Sequence, residues 1–248
     1  MNKKTLRLTI LGAVFALSLG GFFLRRHHLA VGFDAMGLSN GKGIVGLILL
    51  CAVAVVGSII VALTTEKREG VAESFSADKI SLPLYFGAGG LTAVASVVGL
   101  INPVTMGLQV TLFSRLTSAV GVAAGFSMVA VGVGQKKKQS PSALAWMLPV
   151  AYYILQILLR FRMWSADPMV LDYAFKLFSL LGAMLTSCFM AGFAVGEGKG
   201  RTSLCFSIIG MVFSAITLAE GGFGNILLHG AIFLFCLASA WQLLGEKE

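Results

Sequence analysis

What most constrains this chain is a succession of eight long apolar runs joined by short polar segments. They cover 8–24, 43–63, 80–101, 116–134, 143–159, 177–196, 202–219 and 226–245, and the shortest, the first and fifth, hold 17 residues each. A hydrocarbon core about 30 Å thick takes a helix of roughly 17–25 apolar residues, so each run is long enough to cross it. The runs are continuous rather than alternating, which selects helices over barrel strands. Only the last carries a histidine, His229. Charged residues make up 12% of the 248, where a soluble domain carries about a quarter. The mean hydropathy is +0.88. The expected fold is all-α: a polytopic transmembrane helical bundle forming a single integral membrane domain over 1–248, with no soluble domain.

The net charge of +8 orients such a bundle rather than marking a nucleic-acid partner. With the N-terminus in the cytoplasm, 12 Lys and Arg fall on that side and 6 on the other. That is the positive-inside bias, so the expected location is the cell membrane, multi-pass, with both termini cytoplasmic. Lys3, Lys4 and Arg7 ahead of an apolar run look like a signal peptide. The run exceeds the about 7–15 residues of a signal's apolar core, and Arg25, Arg26, His27 and His28 follow it directly. A retained first helix is the expectation. Cys51, Cys188, Cys205 and Cys236 all lie in predicted spans without a CxxC pair, as packing residues would. Trp146, Trp164 and Trp241 fall near span ends, where an aromatic belt is expected.

Two hairpins, spans 3–4 and 5–6, resemble each other. The third span opens with Leu82-Pro83 and turns at Asn102-Pro103, and Leu112-Phe113-Ser114 begins nine residues past that proline. The fifth carries Leu148-Pro149 and turns at Asp167-Pro168, and Leu177-Phe178-Ser179 begins nine residues past that one. Matched offsets point to a parallel helical-hairpin repeat whose halves superpose about an axis near the membrane normal. Asn or Asp caps a helix start and proline suits its first position, so helices are expected to begin near Pro103 and Pro168. Arg115 then lies roughly 29 Å from Gly134 and Lys176 roughly 30 Å from Gly196, which puts both cations at the outer edge of the hydrocarbon. Arg115 reads as a snorkelling residue there.

No charge falls near the middle of any run, and such charges are the usual mark of ion-coupled carriers. Gly87, Gly89, Gly90, Ser96, Ser118 and Ser127 suit either a substrate path or close helix packing, as in Gly121-x-x-x-Gly125, and packing is the plainer reading. There is no HExxH and no GxSxG, and GEGKGRTS departs from a phosphate loop because Gly200 follows Lys199. His27 and His28 with Asp34 read as a solvated loop rather than a metal site. No catalytic, cofactor-binding or metal-binding residue is expected. What remains is an extracytoplasmic collar of Arg115, Arg160, Asp167, Asp172, Lys176, Glu220 and His229, with Arg25, Arg26, His27, His28, Asp34 and Arg162 in the same outer segments. It is either solvated surface or a site for a small polar or anionic solute, a lipid headgroup or a membrane-protein partner.

The stretch 163–196, through Asp167-Pro168, Asp172-Tyr173 and Ala191-Gly192-Phe193, is similar to a class of uncharacterised bacterial multi-span membrane proteins. The resemblance implies a helical membrane fold and carries over no catalytic or binding residue. The expected function is a non-enzymatic membrane component in the lipid bilayer, either a partner subunit or a lipid-interacting scaffold. The alternative is a small-solute permease with a polar site at the extracytoplasmic rim. A polar path reaching mid-depth favours the permease, and a solid apolar core favours the component.

Overall fold

A computed structural model of the chain describes residues 3–33, 41, 43–65, 80–136, 142–164 and 170–245. Eight α-helices form among them: α1 Lys3–Val31, α2 Ile44–Thr64, α3 Ser81–Ile101, α4 Leu112–Lys136, α5 Ala143–Trp164, α6 Val170–Ala194, α7 Gly200–Leu218 and α8 Phe223–Leu243. All eight are long and apolar enough to cross a membrane. The chain is a multi-pass, all-helical membrane protein.

Neighbour relations organise the bundle. α3 packs on α4, α4 on α5, α5 on α6, α6 on α7, α7 on α8, and α8 returns to α3, so these six close a circuit. α1 and α2 pack on α7 from outside it. Burial follows: the apolar stretch of α7 is 67% buried inside the bundle and that of α2 only 17%. An all-round apolar helix suits both places, because lipid and protein interior are equally apolar. The C-terminal ends of α1, α3, α5 and α7 and the starts of α4, α6 and α8 meet at one rim. The opposite rim is tied by Arg7, whose guanidinium lies 3.8 Å from the Trp241 ring centroid and donates to the Trp241 carbonyl at 2.6 Å.

Glycine sets the tightest crossings. A Cβ on Gly125 of α4 would lie 2.7 Å from the carbonyl oxygen of Gly89 on α3, and one on Gly182 of α6 would lie 2.6 Å from the Cα of Gly210 on α7. Gly121-x-x-x-Gly125 is therefore a packing motif. Buried hydroxyls turn back on their own helices. Thr92 donates to Ala88 O at 2.8 Å, Ser127 to Ala124 O at 2.7 Å, and Ser214 to Met211 O at 2.9 Å. Such bonds satisfy a hydroxyl without a cavity. The glycines of GEGKGRTS serve the α6–α7 turn: Gly196 adopts φ 83°, and a Cβ on Gly198 would run into the Phe193 ring.

Several expectations need correction. α4 starts at Leu112, not near Pro103, which instead opens a 3-10 turn, Pro103–Met106. The Asn102 side chain makes no capping bond, and Gly107 at φ 66° ends the turn. Met106 and Leu108 are buried with Leu159 and pack against half-buried Leu227, so apolar contact holds this segment off the helical path. The cap of α4 is Thr111 with Ser114. Thr111 N–H donates to Ser114 Oγ and Ser114 N–H to Thr111 Oγ1, each at 3.1 Å. This is a reciprocal capping box, so Thr111→Ala is expected to cost about 1 kcal/mol, read from equilibrium unfolding in mixed micelles. The two hairpins share direction, but their matched triads differ in register: Leu112 opens α4, while Leu177 is the eighth residue of α6. Arg115 accordingly lies in the first turn of α4, exposed, with little helix beyond it.

His27 and His28 sit in α1 rather than in a loop. Trp146 is no belt residue. It is 1% exposed and packs on Tyr85 and Phe235, with ring centroids 6.1 and 6.3 Å away. Trp241 does lie near a rim, half-buried, and the side chain of Trp164 lies outside those described. The four cysteines are free thiols within α2, α6, α7 and α8.

Candidate functional site at the ion-paired rim

Two glycines shape the rim. Gly221 at φ 70° and Gly222 at φ 80° turn the chain from α7 into α8, a conformation that side chains disfavour. Asn225 donates to the Thr217 carbonyl at 2.7 Å and clamps the turn. Glu220, one residue before it, is thereby held over the bundle, its N–H bonded to Thr217 O at 3.1 Å.

Glu220 is the hub of an ion triad. Arg25 of α1 reaches Oε1 at 2.8 Å, and Lys176 of α6 reaches Oε2 at 2.6 Å. The Arg25 side chain is 1% exposed and that of Glu220 13%. Arg25 also bonds His28 Nδ1 at 2.9 Å, one turn on, and lies over the Phe175 ring. Burial of a charge is costly unless it is paired, so the triad is a built feature rather than solvated surface.

A second polar group adjoins it inside the circuit. Ser179 of α6, three residues past Lys176 and so on the same face, bonds His229 Nδ1 of α8 at 2.9 Å. His229 is fully buried, and its Nε2 has no hydrogen-bond partner among the described residues. Arg160, in the last turns of α5, is 8% exposed. Its Nε donates to Gln156 Oε1 at 3.4 Å, and Gln156 Nε2 donates to the Tyr152 hydroxyl at 3.1 Å. Residues four apart stack on one helix face, so this file descends about 12 Å from the rim. His229 lies within electrostatic reach of both Arg160 and Lys176, and Arg160 within reach of Glu220.

Below the file, buried aromatic side chains pack inside the circuit. Tyr85, Trp146, Tyr153 and Phe235, from α3, α5 and α8, meet with ring centroids 6.1–6.3 Å apart, and all four are fully buried. Tyr85 donates to Gln242 Oε1 at 3.1 Å on the far side. An aromatic layer thus lies between the rim and the opposite rim on the side of α3, α5 and α8.

Of the collar residues expected from sequence, Arg160, Lys176, Glu220 and His229 come together, joined by Arg25 and His28. Arg115 stands apart, exposed and without an ion pair among the described residues. Arg26, His27 and Arg162 are exposed. Asp34, Asp167 and the side chain of Asp172 lie outside the described residues. Tyr152, Gln156 and Ser179 were not foreseen as site residues. The i, i+4, i+8 spacing of Tyr152, Gln156 and Arg160 was the available signal. Among the described residues, no group of three His, Cys, Asp or Glu is placed to hold a metal ion. No protein-family model, curated protein or solved structure matches the chain.

Proposed function

We propose that the chain is a non-enzymatic component of the cell membrane, a partner subunit or lipid-interacting scaffold, that holds a polar group at its ion-paired rim. The positive-inside bias puts both termini in the cytoplasm and this rim on the extracytoplasmic side. One observation carries the reading: charged side chains from α1, α5, α6 and the α7–α8 turn lie at a single end of the circuit, Arg25 and Arg160 buried and Lys176 and Glu220 half-buried. Ionisable groups sequestered within a membrane bundle mark a site by default. Holding fits better than chemistry. Ser179 and His229 have a nucleophile–base distance, yet Nδ1 takes the serine and no carboxylate among the described residues orients Nε2.

A permease is the second reading, favoured by the polar file from Arg160 to Tyr152. The aromatic layer beneath it supports the component instead.

Native mass spectrometry of the detergent-released full chain, alongside uptake of labelled phosphate and succinate into proteoliposomes, separates the two. A co-purifying protein or lipid that is lost on Lys176→Gln is the expected result. Uptake by the wild type that Lys176→Gln abolishes would move the assignment to permease. Neither result would leave the rim as internal pairing alone and sink both readings.

A further inference from the structure

Among the described residues, the rim has more positive charge than its partners absorb. Glu220 divides its single charge between Arg25 and Lys176. Arg160 has no carboxylate partner among the described residues; its Nε rests on a neutral amide, Gln156. Counted over the described residues, Arg160 and Lys176 together therefore carry an excess of more than one unit charge and less than two. Beside them, His229 presents a fully buried ring nitrogen with no partner among the described residues. A buried guanidinium resting on a neutral amide and an orphaned buried imidazole nitrogen each cost free energy that a bound anion would recover.

The helix ends bring these donors to the same rim. Arg160 enters from the end of α5, Lys176 from the second turn of α6, and His229 from the second turn of α8. Both cations lie within electrostatic reach of the His229 ring. Ser179 occupies Nδ1; with its hydroxyl donating there, the ring proton sits on Nε2 and makes that nitrogen a donor. Nε of Arg160 is engaged by Gln156, which leaves the two Nη groups as a fork for two oxygens.

We propose that Arg160, Lys176 and His229 form a binding site for a phosphate monoester group at the mouth of the six-helix circuit. This rests on the holding role proposed above and names its ligand. Three donors from three helices suit a tetrahedral group with three free oxygens. A phosphate monoester carries about −1.5 to −2 charge at neutral pH, which matches the excess, whereas a carboxylate or a phosphodiester supplies only one. The group is borne either by a soluble solute or by a lipid such as phosphatidic acid.

The experiment uses the full chain in phosphatidylcholine nanodiscs, titrated calorimetrically with inorganic phosphate, with glycerol phosphate and, for comparison, with succinate. A parallel arm measures by native mass spectrometry the retention of phosphatidic acid against phosphatidylglycerol. Binding of the soluble phosphates assigns a solute, and selective retention of phosphatidic acid assigns a lipid; either supports the site. Arg160→Gln is expected to weaken the bound species by about tenfold or more. Arg160→Lys should restore part of the loss, and Arg115→Gln, exposed on the same rim, should change nothing. Where Arg160→Gln fails to fold, Ser179→Ala, which releases the His229 ring, serves as the second variant and should also weaken binding.

Succinate binding as tightly as phosphate would overturn the assignment, as would no binding in either arm or unchanged affinity in both variants. Binding that appears only after Asp167→Asn or Asp172→Asn would show that a carboxylate of the chain already fills the position, and would also overturn it. A partner that still dissociates on Lys176→Gln, with no phosphate bound, would refute this site and leave the holding role standing.

Discussion

Glu220→Ala is expected to lower the stability of the folded chain by about 3 kcal/mol, because it removes the carboxylate that pairs with the buried Arg25 guanidinium. Arg25 is 1% exposed, and the carboxylate of Glu220 lies 2.8 Å away. Lys176, at 19% exposure, is nearer water and can snorkel when its partner is lost, so most of the cost belongs to Arg25. Replacing Arg25 and Glu220 together by Met and Leu is expected to cost far less than Glu220→Ala alone, since the buried guanidinium goes with its carboxylate and Lys176, half-buried, can turn to water. Equilibrium unfolding of the purified chain in mixed micelles measures both. A loss below about 1 kcal/mol for Glu220→Ala would mark the triad as solvated surface pairs.

The helices were legible because lipid leaves the backbone no alternative. Eight apolar runs of spanning length must become helices, and eight formed over nearly the same residues. Their ends were less legible, since hydropathy marks where lipid begins and not where a helix does. α1 runs through the polar Arg25, Arg26, His27 and His28 to Val31, seven residues past the apolar run. Asn102-Pro103 looked like a helix start because the local chemistry fits one. The winning term there is tertiary: Met106 and Leu108 find apolar partners on α5 and α8, which a local rule does not see. The paired Leu-Phe-Ser triads show the same limit. Ser114 caps α4 while Ser179 holds a histidine, so one sequence pattern serves two purposes.

At the site, sequence reading grouped the residues by depth but not by azimuth. Arg115 and Lys176 were assigned to one rim from distances along their helices, and Arg160, Glu220 and His229 from the side on which their segments emerge. Which of them face inward depends on how α4 and α5 rotate about their axes, and the charges themselves do not say. Arg160 faces in because Tyr152 and Gln156, on the same stripe, face in; Arg115 faces out alongside Leu112 and Leu116. Arg25 and Glu220 are 195 positions apart, and their pairing requires α1 to pack on α7, a choice between near-equivalent apolar helices that hydropathy leaves open.

The packing that makes this choice turns on glycine, and Gly125→Leu is expected to cost about 3 kcal/mol or more. A Cβ on Gly125 would lie 2.7 Å from both the Ala93 nitrogen and the Gly89 carbonyl oxygen. These are backbone atoms, so no rotamer change relieves the clash, and α3 and α4 must separate. In a bilayer no hydrophobic force draws helices together; close van der Waals packing is itself the driving term, and separation forfeits it. Helix propensity offers little compensation, because the unfolded chain in lipid keeps its helices. Gly90→Ala tests that last step: its Cβ would meet nothing within 4 Å, so the change is expected to stay within about 0.5 kcal/mol. Unfolding by denaturing detergent, followed by circular dichroism and by a fluorophore pair across α3 and α4, reads both variants. Equal stability of Gly125→Leu and the wild type would mean that the two helices do not cross at Gly89, and with that the circuit enclosing Arg160 and His229 would open.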